Sequence, residues 1–448
     1  MFSKFSFFNN GLSGYCKKNS YDNNRYKPIT NWQNLCDISR IGFLSCCDNP
    51  RIPENLLFLV RLFDNIPASR CTFQNLWNMM DTLPIYDCEL HSLDNVDDAT
   101  LKYIYSKLMM LINRLVWGDG VVNARNHCIL PNFLGRILYE VCDSLEIVPA
   151  LTHAAVDLWN FRLKDPSLGF VPENIEILCT MTDDPSEKWF YAVMIAIEGA
   201  GGRMLMKIMD LYCAILNKNY ERIYESYVTL ASVLDECVAI IRKMYDHCDP
   251  DFFFNRLRIF LSGSNNSNLP NGISFNGINM PPLKFIGGSA AQSSLIQIFD
   301  VLLCVVHKEK TKQFLDEMQF YMPGKHKKFL VALQRDYSYY FSKYLRKLNK
   351  NDPLHELVDD CRDKLVSFRN HHMCIVKRYI MAFVERQSPH MNNNAHSNRG
   401  TGGTNPVEFC GAVIMNTRNA SHMTSDYKCY MALCALITVT CGWYIWRD

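Results

Sequence analysis

The stretch YERIYESYVTLASVLDECVAIIRKM, Tyr220 to Met244, carries apolar side chains at Tyr220, Ile223, Tyr227, Leu230, Leu234, Cys237, Ile241 and Met244. Steps of three and four residues place them all on one face of an α-helix roughly seven turns long. Similar stripes run through Leu101 to Trp117, Leu295 to Val306 and Leu365 to Val384, while segments of strict alternation are scarce. The sequence therefore predicts an all-α protein.

Punctuation divides the chain. LKDPSLGFVPEN, Leu163 to Asn174, holds two prolines and a glycine, and ahead of it the helical stretches are shorter, so a smaller N-terminal helical domain is expected. Behind it, Ser262 to Pro282 and Gln387 to Pro406 are rich in Asn, Gly, Ser and Pro and read as loops, of a length that usually marks a linker or a functional lid. No internal repeat is visible.

Composition narrows the class. With 448 residues, 48% hydrophobic and 21% charged, the chain can bury one large or two moderate cores and is neither mostly disordered nor a polytopic membrane protein. The 47 basic and 45 acidic residues leave a formal charge of +2, so no global field recruits nucleic acid, and none is expected as a partner. Nineteen cysteines, an odd number without a CxxC pair, form neither a disulfide framework nor a zinc ribbon and fit a reducing, cytoplasmic compartment. The opening MFSKFSFFNNGLSGYCKKN lacks a sustained apolar core, so no secretory signal is read and the mature chain is expected to begin near Met1.

The other end is different. CYMALCALITVTCGWYIW, Cys429 to Trp446, is uncharged and bracketed by Lys428 and Arg447, with Trp443, Tyr444 and Trp446 gathered at one edge. About 17 to 25 apolar residues cross a bilayer, so this tail is a candidate transmembrane helix and membrane anchor; the alternative is a terminal helix docked in a groove of the same protein.

The chain has no HExxH, GxSxG, CxxCH or complete P-loop. Three stretches remain as candidate chemistry. In LVSFRNHHMCIVKRYI, Leu365 to Ile380, helical spacing gathers Leu365, Phe368, Arg369, Ile375, Val376 and Tyr379 around His372, with His371 turned about 100° away. His372 reads either as a satisfied histidine or as an axial haem ligand, one imidazole offered into an apolar pocket. In FFFNRLRIFLSG, Phe252 to Gly263, a helix would put Phe254 and Arg258 on one face, as an aromatic wall beside a carboxylate grip or as core packing with an internally paired arginine. RGTGGT, Arg399 to Thr404, is a solvated linker or a flexible lid over a substrate.

In order along the chain, FFFNRLRIFLSG, FIGGSAAQSSLIQIFDVLL, FLDEMQFYMPGKHKKFL, LVSFRNHHMCIVKRYI and RGTGGT resemble the indoleamine 2,3-dioxygenase family, haem enzymes that open the indole ring of tryptophan. LKDPSLGFVPENIEIL and EKWFYAVMIAIE extend the resemblance upstream, so that it is strong from Ile147 to Thr404 and weak before. It implies a two-domain helical fold: a smaller domain over 1–181, a larger haem domain over 182–424, and the apolar tail over 425–448 beyond the family core. It implies haem b, its iron held by His372, with Gly288 and Arg369 at the cofactor and Asp300 paired with Arg369. Phe190, Phe253, Phe254, Arg258, Ser289, Ala290 and Thr401 would meet the substrate. The implied reaction is haem-dependent cleavage of L-tryptophan, or a related indole, by O₂ to N-formylkynurenine, the first step of the kynurenine route. An unidentified reductant keeps the iron ferrous, and no protein acid–base group is required. Met194, His153 and Ser264 stand where the family has a serine, a tyrosine and a tryptophan, which alters the shape and polarity of the pocket. The alternatives are an oxygen-binding haem protein without catalysis and a haem-free, membrane-tethered interaction protein.

Overall fold

The structure, a computed structural model, describes residues 31–45, 50–57, 60–61, 63, 93, 96–118, 128–387 and 405–420, together with the backbone of two short strands at 16–18 and 26–28. Helices dominate it. The named ones are α1 (Asp98–Trp117), α2 (Asn132–Leu145), α3 (Pro185–Leu216), α4 (Tyr220–Arg242), α5 (Ser294–Leu302), α6 (Glu309–Met318), α7 (Gly324–Leu345), α8 (Pro353–Val376) and α9 (Pro406–Asn419).

Their ends follow from the sequence. Asp184 and Asp352 accept from the backbone N–H of Ser186 and Leu354 at 2.8 and 2.9 Å, each followed by a proline at the first helical position. Asn219 caps α4 in the same way, and the stripe from Ile223 to Ile241 is buried as its periodicity requires. α3, α4 and α8 pack side by side, with α9 laid against α8. One contiguous apolar core reaches from Trp32 to Tyr379.

Two of the expected helices differ in detail. The Leu295–Val306 stripe is helical only over Ser294–Leu302. Cys304 adopts a left-handed φ of 51°, and the N–H groups of Cys304 and Val305 return to the carbonyls of Val301 and Asp300 at 3.1 and 2.9 Å. This closing turn usually needs glycine and leaves no mark in hydrophobic periodicity. The Leu365–Val384 helix continues past Val376, but through a π turn over Lys377–Met381 before α-geometry resumes at Ala382–Gln387.

Strands are few among the described residues: antiparallel pairs of Cys16–Lys18 with Tyr26–Pro28 and of Phe161–Leu163 with Ile175–Ile177, and a parallel pair of Ile129–Leu130 with Ser274–Phe275. The last pins the middle of the Ser262–Pro282 loop against the start of α2. Among the described residues no helix is long and apolar enough to cross a membrane. Cys429–Trp446 and the Arg399–Thr404 segment, with Thr401, lie outside them.

Candidate active site

The sixth turn of α8 presents His372 to a cleft that is partly open to solvent. Met194 and Glu198 of α3, Ala290 and Ser293, and Phe409 and Cys410 of α9 stand in its wall with His372, Arg369 and Asp300. A mostly apolar wall with a few convergent polar side chains suits an organic ligand or cofactor. His372 is half-buried, with Nδ1 3.5 Å from the Cys410 sulfur. Burial, reinforced by the Arg369 cation one turn away, lowers its pKa to about 4, so the imidazole is neutral at pH 7, the state in which it ligates a metal. Arg369 donates twice to the Asp300 carboxylate, at 2.7 and 2.8 Å, and also to the Thr417 hydroxyl. His307 Nε2 stands 2.9 Å from the same carboxylate. Burial alone would raise the Asp300 pKa, but Arg369 and His307 hold it below its ordinary value.

The aromatic residues meet beside this cavity rather than in the wall of the described volume. Phe190, one turn before Met194 on α3, contacts the Phe253 ring at 5.2 Å, and Phe253 meets Tyr379 edge-on at 5.7 Å. Phe254 stacks on Phe383 at 5.0 Å and 15°, with the Arg258 guanidinium 5.3 Å above its ring. The shared face expected of Phe254 and Arg258 is therefore present, although Phe253–Leu257 forms a π turn between two single α-turns. The Phe253–Tyr379 and Phe254–Phe383 contacts join segments more than 100 residues apart, so helical spacing within either segment does not show them.

The segment carrying Gly288, Ser289 and Ala290 is pressed against the end of the Phe252–Gly263 helix by backbone contact. A Cβ at Gly287 would lie 1.9 Å from the Leu261 carbonyl oxygen, and one at Gly263 would lie 2.2 Å from that of Phe285, so only glycine fits either place. Ser264 accepts from the Phe285 N–H at 3.0 Å, and Ser289 caps the turn Ala290–Gln292. At Gly288 a Cβ would lie 3.6 Å from the Leu151 carbonyl oxygen, an ordinary contact.

The sequence missed a buried charge cluster. His153 Nδ1 lies 2.7 Å from Asp157 and Nε2 2.9 Å from Glu198, whose same oxygen also accepts from the Ser293 hydroxyl at 2.5 Å. All three ionisable side chains are at most 4% exposed. Burial disfavours the imidazolium, but Asp157 and then Glu198 outweigh it and lift the His153 pKa to about 10. Burial pushes the Asp157 carboxyl up. His153 is thus a fixed cation behind a carboxylate, Glu198, that stands in the cavity wall. The spacing of Asp157 four residues after His153 is a signal the sequence contains; the pairing with Glu198 is not.

A family model described as indoleamine 2,3-dioxygenase matches residues 37–420, well over half of the chain. The chain belongs to the indoleamine 2,3-dioxygenase family. The match begins far ahead of Ile147, so the N-terminal part is included. Indoleamine 2,3-dioxygenase 1 of Rattus norvegicus is 33% identical over 355 residues, 76% of this chain and 83% of the relative. Indoleamine 2,3-dioxygenase 2 of Homo sapiens is 29% identical over 385 residues, 83% of this chain and 91% of the relative. Indoleamine 2,3-dioxygenase of Saccharomyces cerevisiae is 28% identical over 382 residues, 80% and 82% of the two chains. Membership places the chain among haem-dependent dioxygenases and favours that class over a bare oxygen carrier.

The residues present fit a haem. A neutral imidazole, the form that ligates iron, stands in a largely apolar wall.

Proposed function

We propose that this chain cleaves the indole ring of L-tryptophan with O₂ to N-formylkynurenine, using a haem b whose iron His372 holds. The observation that carries the reading is the neutral His372 imidazole in the wall of an apolar cavity, within a family of indoleamine dioxygenases. The haem supplies the iron centre at which oxygen reacts. The chain's own residues bind and orient. His372 Nε2 is the ring nitrogen left for the iron once Nδ1 faces Cys410, and Arg369, Asp300 and Gly288 support the cofactor. Phe190 and Phe253 pack the indole, Phe254 braces Arg258, and the guanidinium takes the substrate carboxylate by two-point contact, which orients the ring toward the reacting centre. Ser289 and Ala290 border the substrate, and Thr401 belongs to the lid. Met194 makes its part of the cavity wall less polar than a serine would, while the His153–Glu198 pair brings charge where a tyrosine would bring none.

In the same reading the chain divides near Met181, an unidentified reductant keeps the iron ferrous, and a cytoplasmic catalytic domain is tethered to an intracellular membrane by Cys429–Trp446. The deciding experiment is turnover: reduced, haem-loaded protein with millimolar tryptophan under O₂ yields N-formylkynurenine, and His372→Ala loses haem or its ferrous spectrum. Haem-loaded protein that forms no product refutes the catalytic assignment.

A further inference from the structure

We propose that Cys410 is a positioning residue for the iron ligand: its sulfur accepts a hydrogen bond from Nδ1–H of His372 and so sets how strongly that imidazole donates to the metal. The inference rests on the haem reading above and extends it to the redox poise of the site.

The contact itself is 3.5 Å between Sγ and Nδ1, and Cys410 is 3% exposed. No other side chain among the described residues bonds the His372 ring. A second, independent feature fixes the approach. Arg369, one turn before His372 on α8, donates to the hydroxyl of Thr417, two turns after Cys410 on α9, while its other contacts bind Asp300 at 2.7 and 2.8 Å. Thr417 spends its own proton on the Val413 carbonyl at 2.7 Å, so it can only accept from Arg369. This buried lock sets the register of α9 on α8. It also occupies Arg369, which cannot serve His372 as well.

An iron on Nε2 leaves the imidazole proton on Nδ1, and the acceptor of that proton tunes the ligand. Carboxylates and carbonyls draw the proton away and make the imidazole a stronger donor, which favours ferric iron. A thiol sulfur is a weak acceptor, so the ring stays close to neutral imidazole and the ferrous state, the one that binds O₂, is favoured. A sulfur at this position orients the ring without making it strongly basic.

The test uses full-length, haem-loaded protein and the near-isosteric variants Cys410→Ser and Cys410→Val. Three quantities are measured: haem per chain, the ferric/ferrous midpoint by spectroelectrochemistry, and the iron–histidine stretch of the ferrous protein by resonance Raman. Haem content is expected to be unchanged. Serine, a better acceptor, raises the stretch and lowers the ferrous-to-ferric ratio at a fixed poise about tenfold, equivalent to about 59 mV for one electron. Valine, with no acceptor, moves both quantities the opposite way by a smaller factor, about threefold. The proposal is overturned if the stretch is the same in all three proteins, or if the ferrous fraction does not fall in the order valine, cysteine, serine. Should one variant lose haem, the direction of the other against the wild type decides. Failure of the underlying reading looks different: the wild type takes up no haem, or its histidine-ligated spectrum survives His372→Ala, and the Cys410 proposal falls with it.

Discussion

Replacing His153 by leucine removes the cation that contacts the buried carboxylates of Asp157 and Glu198 at 2.7 and 2.9 Å. Breaking a buried ion pair by deleting one partner costs about 3–5 kcal/mol, because the remaining charge is left without compensation. Ser293 still donates to Glu198, and Asp157, whose carboxyl burial already pushes up, can take a proton. Both put the expected loss near the low end, about 3 kcal/mol. His153→Leu combined with Asp157→Leu and Glu198→Gln removes all three buried charges together and should recover most of that loss, since replacing a buried charge cluster by uncharged groups is often neutral. Urea unfolding followed by circular dichroism measures both variants. The pH dependence supplies a sign: the folded pKa of about 10 lies above the ordinary histidine value of 6.5, so the contribution of His153 is complete below 6.5 and disappears as pH rises through 10. The gap between wild type and His153→Leu should therefore narrow from pH 7 to pH 10. A loss below about 1 kcal/mol at pH 7, a gap that widens with pH, or a triple variant as weak as the single one refutes the fixed imidazolium.

Arg258→Ala should raise KM for tryptophan at least tenfold with haem content unchanged, because the lost two-point contact is worth about 1.5–3 kcal/mol; steady-state kinetics beside the haem spectrum checks it, and an unchanged KM removes Arg258 from the substrate. Gly287→Ala should destabilise the fold by about 3 kcal/mol or fail to fold, since the new Cβ would lie 1.9 Å from the Leu261 carbonyl oxygen, whereas Gly288→Ala should leave unfolding of the haem-free protein unchanged and lower haem affinity. Paired denaturation and haem titration separate the two glycines. Truncation after Asp426 should release the protein from the membrane fraction of cells expressing it; if full-length and truncated chains both stay in the high-speed supernatant, the tail is no anchor.

Much of the helical frame was legible, because an amphipathic helix writes its buried face into the chain at intervals of three and four residues. α4 and the helix bearing His372 follow that rule, and the Phe254–Arg258 face survived even a π turn. Legibility failed where backbone geometry departs from the α period. The Leu295–Val306 stripe reads on as helix through Val305 and Val306, yet the left-handed turn at Cys304 ends it at Leu302. The helix bearing His372 runs on through a π turn at Lys377–Met381, a change of period that regular spacing does not register.

The candidate site divides in the same way. By itself the sequence determined that one histidine, His372, sits on an apolar helical face, and its motif order carried the family. It marked His153 only as a departure from a tyrosine. Tertiary structure alone decided that His153 bonds Glu198, 45 residues away in the chain, that Ser293 joins the same oxygen from 95 residues beyond, and that Cys410 faces His372 across 38. Periodicity is a local constraint, imposed by hydrogen bonds four residues apart, and any stretch of sequence displays it. Polar pairing inside the core depends on which faces of separate helices meet and at what register, and here a lock such as Arg369 with Asp300 and Thr417 settles it only after the chain has packed.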